Sequence, residues 1–219
     1  MNPLRFAART DRPTSILFLG AHCDDIEIGC GGTILRLRES MPEAEIRWLI
    51  FSSNEERRRE AMESADRFLG ERSRSSVRIE SFRDGYLSYA GDRVKDVFEE
   101  VKREGSPDLI FTHHRHDLHQ DHRLVNELTW NTWRDHVILE YEIPKYDGDL
   151  GQPNVFVAIS PEQVERKIKT VLEVFGSQTS KPWFDADTLS AILRLRGVES
   201  NAPERYAEGF YARKLLLEA

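Results

Sequence analysis

The stretch Ile16-Leu17-Phe18-Leu19-Gly20-Ala21-His22-Cys23-Asp24-Asp25 changes character halfway along. Its first half is an unbroken apolar run closed by glycine, the pattern of a strand buried on both faces. Its second half carries an imidazole, a thiol and two carboxylates, and Gly29-Cys30-Gly31-Gly32 then opens a helix. Strand, polar turn, helix is the opening unit of a parallel α/β sheet. The unit recurs along the chain. Ile46 to Phe51, Leu109 to Thr112 and Val137 to Tyr141 are further buried strands, with Val77-Arg78-Ile79 a weaker one and another near Val155 to Ile159. Between them Ala61, Met62, Ala65, Phe68 and Leu69 fall at helical spacing before Gly70, as do Val94, Val97, Phe98 and Val101 before Gly105-Ser106-Pro107. Val164, Ile168, Val171, Leu172 and Phe175 mark a helix entered through Ser160-Pro161. The expected fold is therefore a doubly wound α/β domain, a mostly parallel sheet with helices on both faces. No repeat, linker or low-complexity tract interrupts it, so one domain is expected over residues 1–219.

Composition narrows the function classes. The net charge is 31 − 38 = −7, which argues against a broad nucleic-acid footprint, since that needs a basic face. Apolar residues at 39% and charged residues at 32% describe a soluble globule, and no apolar run approaches the roughly 20 residues of a membrane span. Met1 to Arg12 carries three Arg with no apolar stretch behind them, unlike a secretory leader. Two Cys make no disulfide framework, and a cytoplasmic setting is the expectation. One count is uneven: five of the seven His lie between His113 and His122.

The chemistry gathers in two segments. His22 and Asp25 are three apart and share a face if the backbone turns helically after the first strand. His119 and His122 have the same spacing at the start of a helix carrying Leu124, Val125 and Leu128. In a sheet of order 3-2-1-4-5, strands 1 and 4 are neighbours, and ligands bind beyond their carboxyl ends at the switch point between them. Both segments follow those two strands, so about 90 residues of separation close up in space. Two neutral imidazoles and a carboxylate suit zinc, leaving an open position from which it acidifies water and polarises a carbonyl. Iron(II) or another divalent ion suits the same donors. Asp24, beside the ligands, can accept a proton from water. His119 can donate to a developing oxyanion or leaving amine, with Asp121 to orient it. Metal-assisted hydrolysis of an amide or ester fits this inventory.

These residues resemble the LmbE-like, or PIG-L, family of zinc-dependent N-deacetylases. The first signature reads Ala21-His22-Cys23-Asp24-Asp25 with Gly29-Cys30-Gly31-Gly32, and the second His119-Gln120-Asp121-His122 followed by Arg123. Tyr206-Ala207-Glu208-Gly209-Phe210-Tyr211 is a third, weaker similarity. The resemblance implies a Rossmann-like, LmbE-like fold, His22, Asp25 and His122 as zinc ligands, Asp24 as base, and His119 as electrostatic stabiliser or acid with Asp121 as its partner. It implies an N-acetylglucosamine-type sugar or conjugate as substrate, with Arg58 and Asp84 at sugar-contacting positions; the alternatives are an amidase or deacylase of the same fold acting on another acylated small molecule (a nucleotide, thiol conjugate or antibiotic), and a metal- or sugar-binding relative without turnover. Cys23 stands where the family has Pro, which loosens the turn and adds a thiol open to oxidation.

Blander readings cover other features. Gly29 to Gly32 lack dinucleotide-loop spacing. Glu55-Glu56-Arg57-Arg58-Arg59-Glu60 reads as a solvated helix start, with one Arg available to substrate. His113, His114 and His116 are supernumerary to a three-ligand site and read as supports behind the ligands or as surface residues, and Trp130 and Trp133 read as core or interface. Arg196, Tyr206 and Glu208 are candidates for the pocket mouth, and the loop Glu142 to Gln152 for a cap over it. The expected partner is a small N-acetylated sugar or conjugate, with no nucleic acid and no membrane span. Exposed aromatics at Trp183-Phe184 would suit a homo-oligomer interface.

Overall fold

The computed structural model describes residues 3, 5–7, 9–70 and 74–216. Seven strands form one sheet: β1 (Ser15–Gly20), β2 (Glu45–Ser52), β3 (Ser75–Phe82), β4 (Leu109–His113), β5 (Val137–Tyr141), β6 (Val155–Ile159) and β7 (Tyr206–Tyr211). Their spatial order is β3-β2-β1-β4-β5-β7-β6. The first five strands pair in parallel, and β7 runs antiparallel between β5 and β6. Six α-helices among the described residues accompany them: α1 (Asp25–Ser40), α2 (Glu55–Leu69), α3 (Gly91–Glu104), α4 (Gln120–Thr132), α5 (Pro161–Val174) and α6 (Ala186–Glu199). This is the doubly wound fold expected from the strand–helix alternation. No described helix is long and apolar enough to cross a membrane.

The apolar runs are strands because both of their faces are covered. Ile16 and Phe18 join a core cluster with residues of α1, α2 and α5, while the alternate Leu17 and Leu19 join a second cluster with Val94, Phe98 and Val101 of α3 and Val125 of α4. Phe18 and Phe111, paired across β1 and β4, stack at 4.5 Å between ring centres. Helix starts follow their signals. Ser160 caps α5 in a reciprocal box with Gln163 behind Pro161, and Asn54 caps α2 by accepting from the Arg57 amide. Gly70 ends α2 at φ 66°.

Three readings change. Helix α1 begins at Asp25, so the Gly29–Gly32 segment lies inside it rather than opening it. A β-carbon at Gly29 would stand 2.3 Å from the Tyr141 ring, and one at Gly32 2.7 Å from Ile159. The glycines thus let α1 lie close on the sheet. Phe184 is 5% exposed and, with the half-buried Trp183, packs on the core, so these aromatics are not an exposed interface. Glu208 and Arg196 do not line a mouth. Glu208 is buried, accepting from the Gly32 and Thr33 amides and pairing with Lys167 at 2.6 Å, and Arg196 pairs with Glu142 at 2.6 Å.

Candidate active site

Strand order places the two chemical segments side by side. β1 and β4 are hydrogen-bonded neighbours, the chain leaves β1 toward β2 on one side, and β4 lies on the other. The turn Ala21–Asp24 and the loop 114–119 therefore leave the same end of the sheet at its switch point. Asp24 is the N-cap of α1 and His119 that of α4.

Side-chain bonds fix the free nitrogen of each histidine. His122 Nδ1 lies 2.9 Å from Asp117 Oδ2, a carboxylate that can only accept, so the ring donates there and leaves Nε2 bare. His22 Nε2 lies 3.1 Å from Asp84 Oδ1 and 3.3 Å from Asp121 Oδ2, so by the same logic Nδ1 is its bare nitrogen. The two bare nitrogens are 3.2 Å apart. Asp25 adds Oδ2 at 3.3 Å from His22 Nδ1 and Oδ1 at 3.5 Å from His122 Nε2. All three residues are buried. Ligands ~2.0–2.1 Å from a tetrahedral ion stand about 3.3 Å from one another, and among the described residues the groups close enough to share a divalent ion are His22–His119–His122, Asp25–His113–His122 and His22–Asp84–Asp121, each holding one or two of the three expected ligands. Burial works against the charge on His22, but Asp25, Asp121 and Asp84 hold its pKa well above the usual range. His122 goes the other way, lowered to about 3 by burial and by His113, and so stays neutral.

The remaining expected residues fall as follows. Asp24 is buried, with Oδ1 2.5 Å from the Arg57 guanidinium. His119 stands edge-on to His22, ring centres 4.9 Å apart, and its Nδ1 accepts the Asp121 amide at 3.3 Å. The Asp121 carboxylate does not bond the His119 ring as expected. It goes instead to His22 Nε2 and to the amides of Gly85 (2.8 Å) and Leu87 (3.1 Å). Gly85 turns at φ 77° to aim that N–H, a conformation that favours glycine. Asp84 lies at the site, its pKa lowered to about 2 by its bond to His22. Arg58 lies away from it, spending its guanidinium on the Ile79 carbonyl at 2.5 Å.

Three residues, Arg57, Asp117 and Lys145, had no individual role in the sequence reading. Arg57 and Arg58 flank the same buried stripe of α2, Arg57 on the side of Ser64 and Phe68 and Arg58 on that of Ala65 and Leu69. Arg57 reaches Asp24 and, at 3.7 Å, Asp84. Asp117 orients His122, and Lys145 bonds the same Asp117 oxygen at 2.9 Å and Asp149 at 2.5 Å. His113, taken as supernumerary, is fully buried at the end of β4. It stacks on His122 at 3.9 Å, accepts the Ala21 amide and lies 3.2 Å from Asp25. Cys23 is buried too, its thiol facing the Ser52 carbonyl, and burial pushes its pKa up to about 12. A buried, protonated thiol is a poor target for oxidation.

A family model described as GlcNAc-PI de-N-acetylase, PIG-L, matches residues 17–133, more than half of the chain. The chain belongs to the PIG-L family. That match contains all the donors above. Solved structures share the fold at low identity. N,N'-diacetylchitobiose deacetylase from Pyrococcus horikoshii superposes with a TM-score of 0.70 at 22% identity, covering 91% of this chain and 83% of that one. A zinc-inhibited form of teicoplanin deacetylase gives 0.65 at 14%, covering 91% and 97%. The 4-carboxy-2-hydroxymuconate hydratase of Pseudomonas putida KT2440 gives 0.73 at 17%, covering 94% and 98%. One fold thus carries deacetylases and a hydratase, so the activity of this PIG-L member has to be argued from its side chains.

Proposed function

We propose that this PIG-L protein is a zinc-dependent hydrolase that removes the acetyl group from an N-acetylglucosamine-type sugar or sugar conjugate. The observation that carries the reading is the convergence of three lone-pair donors, His22 Nδ1, Asp25 and His122 Nε2, beside a carboxylate that is not needed to hold the ion, Asp24. Membership of a family described by a de-N-acetylase, and the fold shared with a diacetylchitobiose deacetylase and a teicoplanin deacetylase, support the same reading.

His22, Asp25 and His122 would hold the ion, and when bound it supplies a polarised acyl carbonyl and a water acidified toward pKa ~7. The protein's own groups do the rest. Asp24 takes the proton of the attacking water, its position fixed by Arg57. His119 accepts the Asp121 amide through Nδ1, so its neutral ring carries a proton on Nε2, which it donates to the developing oxyanion. Asp24, now protonated, returns its proton to the departing amine. Asp84, more than half exposed and also bonded to His22, would meet a sugar hydroxyl.

The test is acetate release from N-acetylated sugars by metal-stripped protein reloaded with zinc, iron(II) or nothing. Acetate and free amine in equal amounts, only with metal, are the expected result. Metal-independent turnover, or loss of a substrate without acetate, would contradict the reading.

A further inference from the structure

His136 is one of two histidines outside the cluster of five, and the proposed deacetylation does not use it. It precedes β5, and Ser106 precedes β4. Both therefore stand at the amino ends of two paired strands, whose register begins at Leu109 and Val137. The candidate metal donors lie beyond the other end of the sheet. The five residues of β4, about 17 Å at ~3.3 Å per residue, separate the two places.

Three side chains here stand in a chemical order. Ser106 Oγ lies 2.8 Å from His136 Nε2, and His136 Nδ1 lies 2.8 Å from Asp135 Oδ1. A carboxylate only accepts, so the neutral His136 ring carries its proton on Nδ1 and presents Nε2 bare. The Ser106 hydroxyl is then the donor of the other bond. Asp135 stays ionised, its pKa held below the usual carboxylate value by its own backbone amide and by His136. A hydroxyl that donates to an imidazole oriented by a carboxylate is an activated nucleophile, recognised by these roles and not by chain position.

Exposure and the backbone agree with that assignment. Ser106 is exposed, while the His136 side chain, at 15%, is sheltered. The Gly105 and Ser106 amides have no hydrogen-bond partner among the described residues, and a β-carbon on Gly105 would meet nothing within 4 Å. Two N–H groups beside the serine are thus open to a developing oxyanion. A hydroxyl that merely tied two turns together would need neither the carboxylate nor the open amides.

We propose that Ser106, His136 and Asp135 form a second hydrolytic site, a metal-independent serine esterase for small carboxylic esters. Ser106 Oγ attacks the ester carbonyl carbon while His136 Nε2 takes the hydroxyl proton. The bond from that carbon to the alcohol oxygen then breaks, and His136 gives its proton to the departing alkoxide. Water, deprotonated by His136, attacks the acyl-serine; the bond to Oγ breaks, Oγ recovers the proton and the carboxylic acid leaves. An amide is a poorer substrate, because its amine leaves less readily and an open loop supplies little binding energy to spend on the barrier.

The site does not depend on the deacetylase reading, and removal of metal separates the two. The full chain, as isolated and after treatment with a chelator, is incubated with a biotinylated fluorophosphonate, and the modified residue is located by peptide mass spectrometry. Hydrolysis of 4-nitrophenyl acetate is followed on the same samples. Phosphonylation of Ser106 at one rate with and without metal is expected, at least about tenfold slower in His136→Gln and in Asp135→Asn. Ester turnover should fall in parallel in both, and by at least about tenfold in Ser106→Ala. Asp135 is 90% exposed, so Asp135→Asn tests the arrangement even if His136→Gln does not fold. No label on Ser106, a rate that a folded His136 or Asp135 variant leaves unchanged, or label that disappears with the metal would overturn the site.

Discussion

Asp121 and its neighbours set the local chemistry one side chain at a time. Its carboxylate receives His22 Nε2 and two loop amides, so one residue fixes the tautomer of a proposed ligand and the course of the β3–α3 loop. Partners of this kind usually carry 10- to 100-fold in metal affinity. Asp121→Asn should therefore weaken zinc binding by about that factor in competition with a chromophoric chelator, while an unchanged affinity would remove the orienting role. The ligand candidates were legible because His22–Asp25 and His119–His122 repeat one spacing after two strands. Their supports were not. Arg57 and Arg58 differ by one position, about 100° on a helix, and flank the same buried stripe, so periodicity does not tell which one faces Asp24. His113 looked spare by counting ligands, yet a residue ending a buried strand has to face something, and it faces Asp25 and His122.

At the scale of elements, α1 decides whether the site assembles, since Asp24 and Asp25 are its first residues. It is seated by close packing and by a buried ion pair. Lys167 of α5 reaches the Ile28 carbonyl, and Glu208 of β7 accepts two α1 amides. Gly29→Ala would drive a methyl into the Tyr141 ring and should cost at least ~1–3 kcal/mol in urea denaturation. Lys167→Met leaves Glu208 buried without its cation, at about 3–5 kcal/mol. A loss under 1 kcal/mol in either variant would contradict this account of how α1 is seated. The same buried charges explain why α6 and β7 were illegible as elements. Arg196 occupies a core-facing position of α6, and Glu208 an inward position of β7, where an apolar residue would have revealed the pattern.

For the whole molecule, the parallel strands were readable from alternation alone, because strands buried on both faces leave apolar runs that need no partner to recognise, and the order of the first five follows from the doubly wound fold type. The antiparallel β7 inserted between β5 and β6 was not, since nothing local encodes which edge a returning strand joins. The acidic balance takes on a second meaning in this fold. Asp24, Asp25, Asp84, Asp117 and Asp121 gather at one end of the sheet, and an ion there offsets part of their charge. Zinc at 100 times its Kd should add about 2.7 kcal/mol to stability, so a chelator should lower the unfolding midpoint measurably. An identical midpoint with and without chelator would mean that the folded chain does not hold the ion. The central claim is that one group of residues holds the metal and a different one, Asp24, moves the proton, and Asp24→Asn separates the two. Zinc content and acetate release measured on the same preparation should give about one zinc per chain, as in the wild type, with turnover lower by about 10²- to 10⁴-fold. Wild-type turnover in that variant, or loss of its zinc, would contradict the claim.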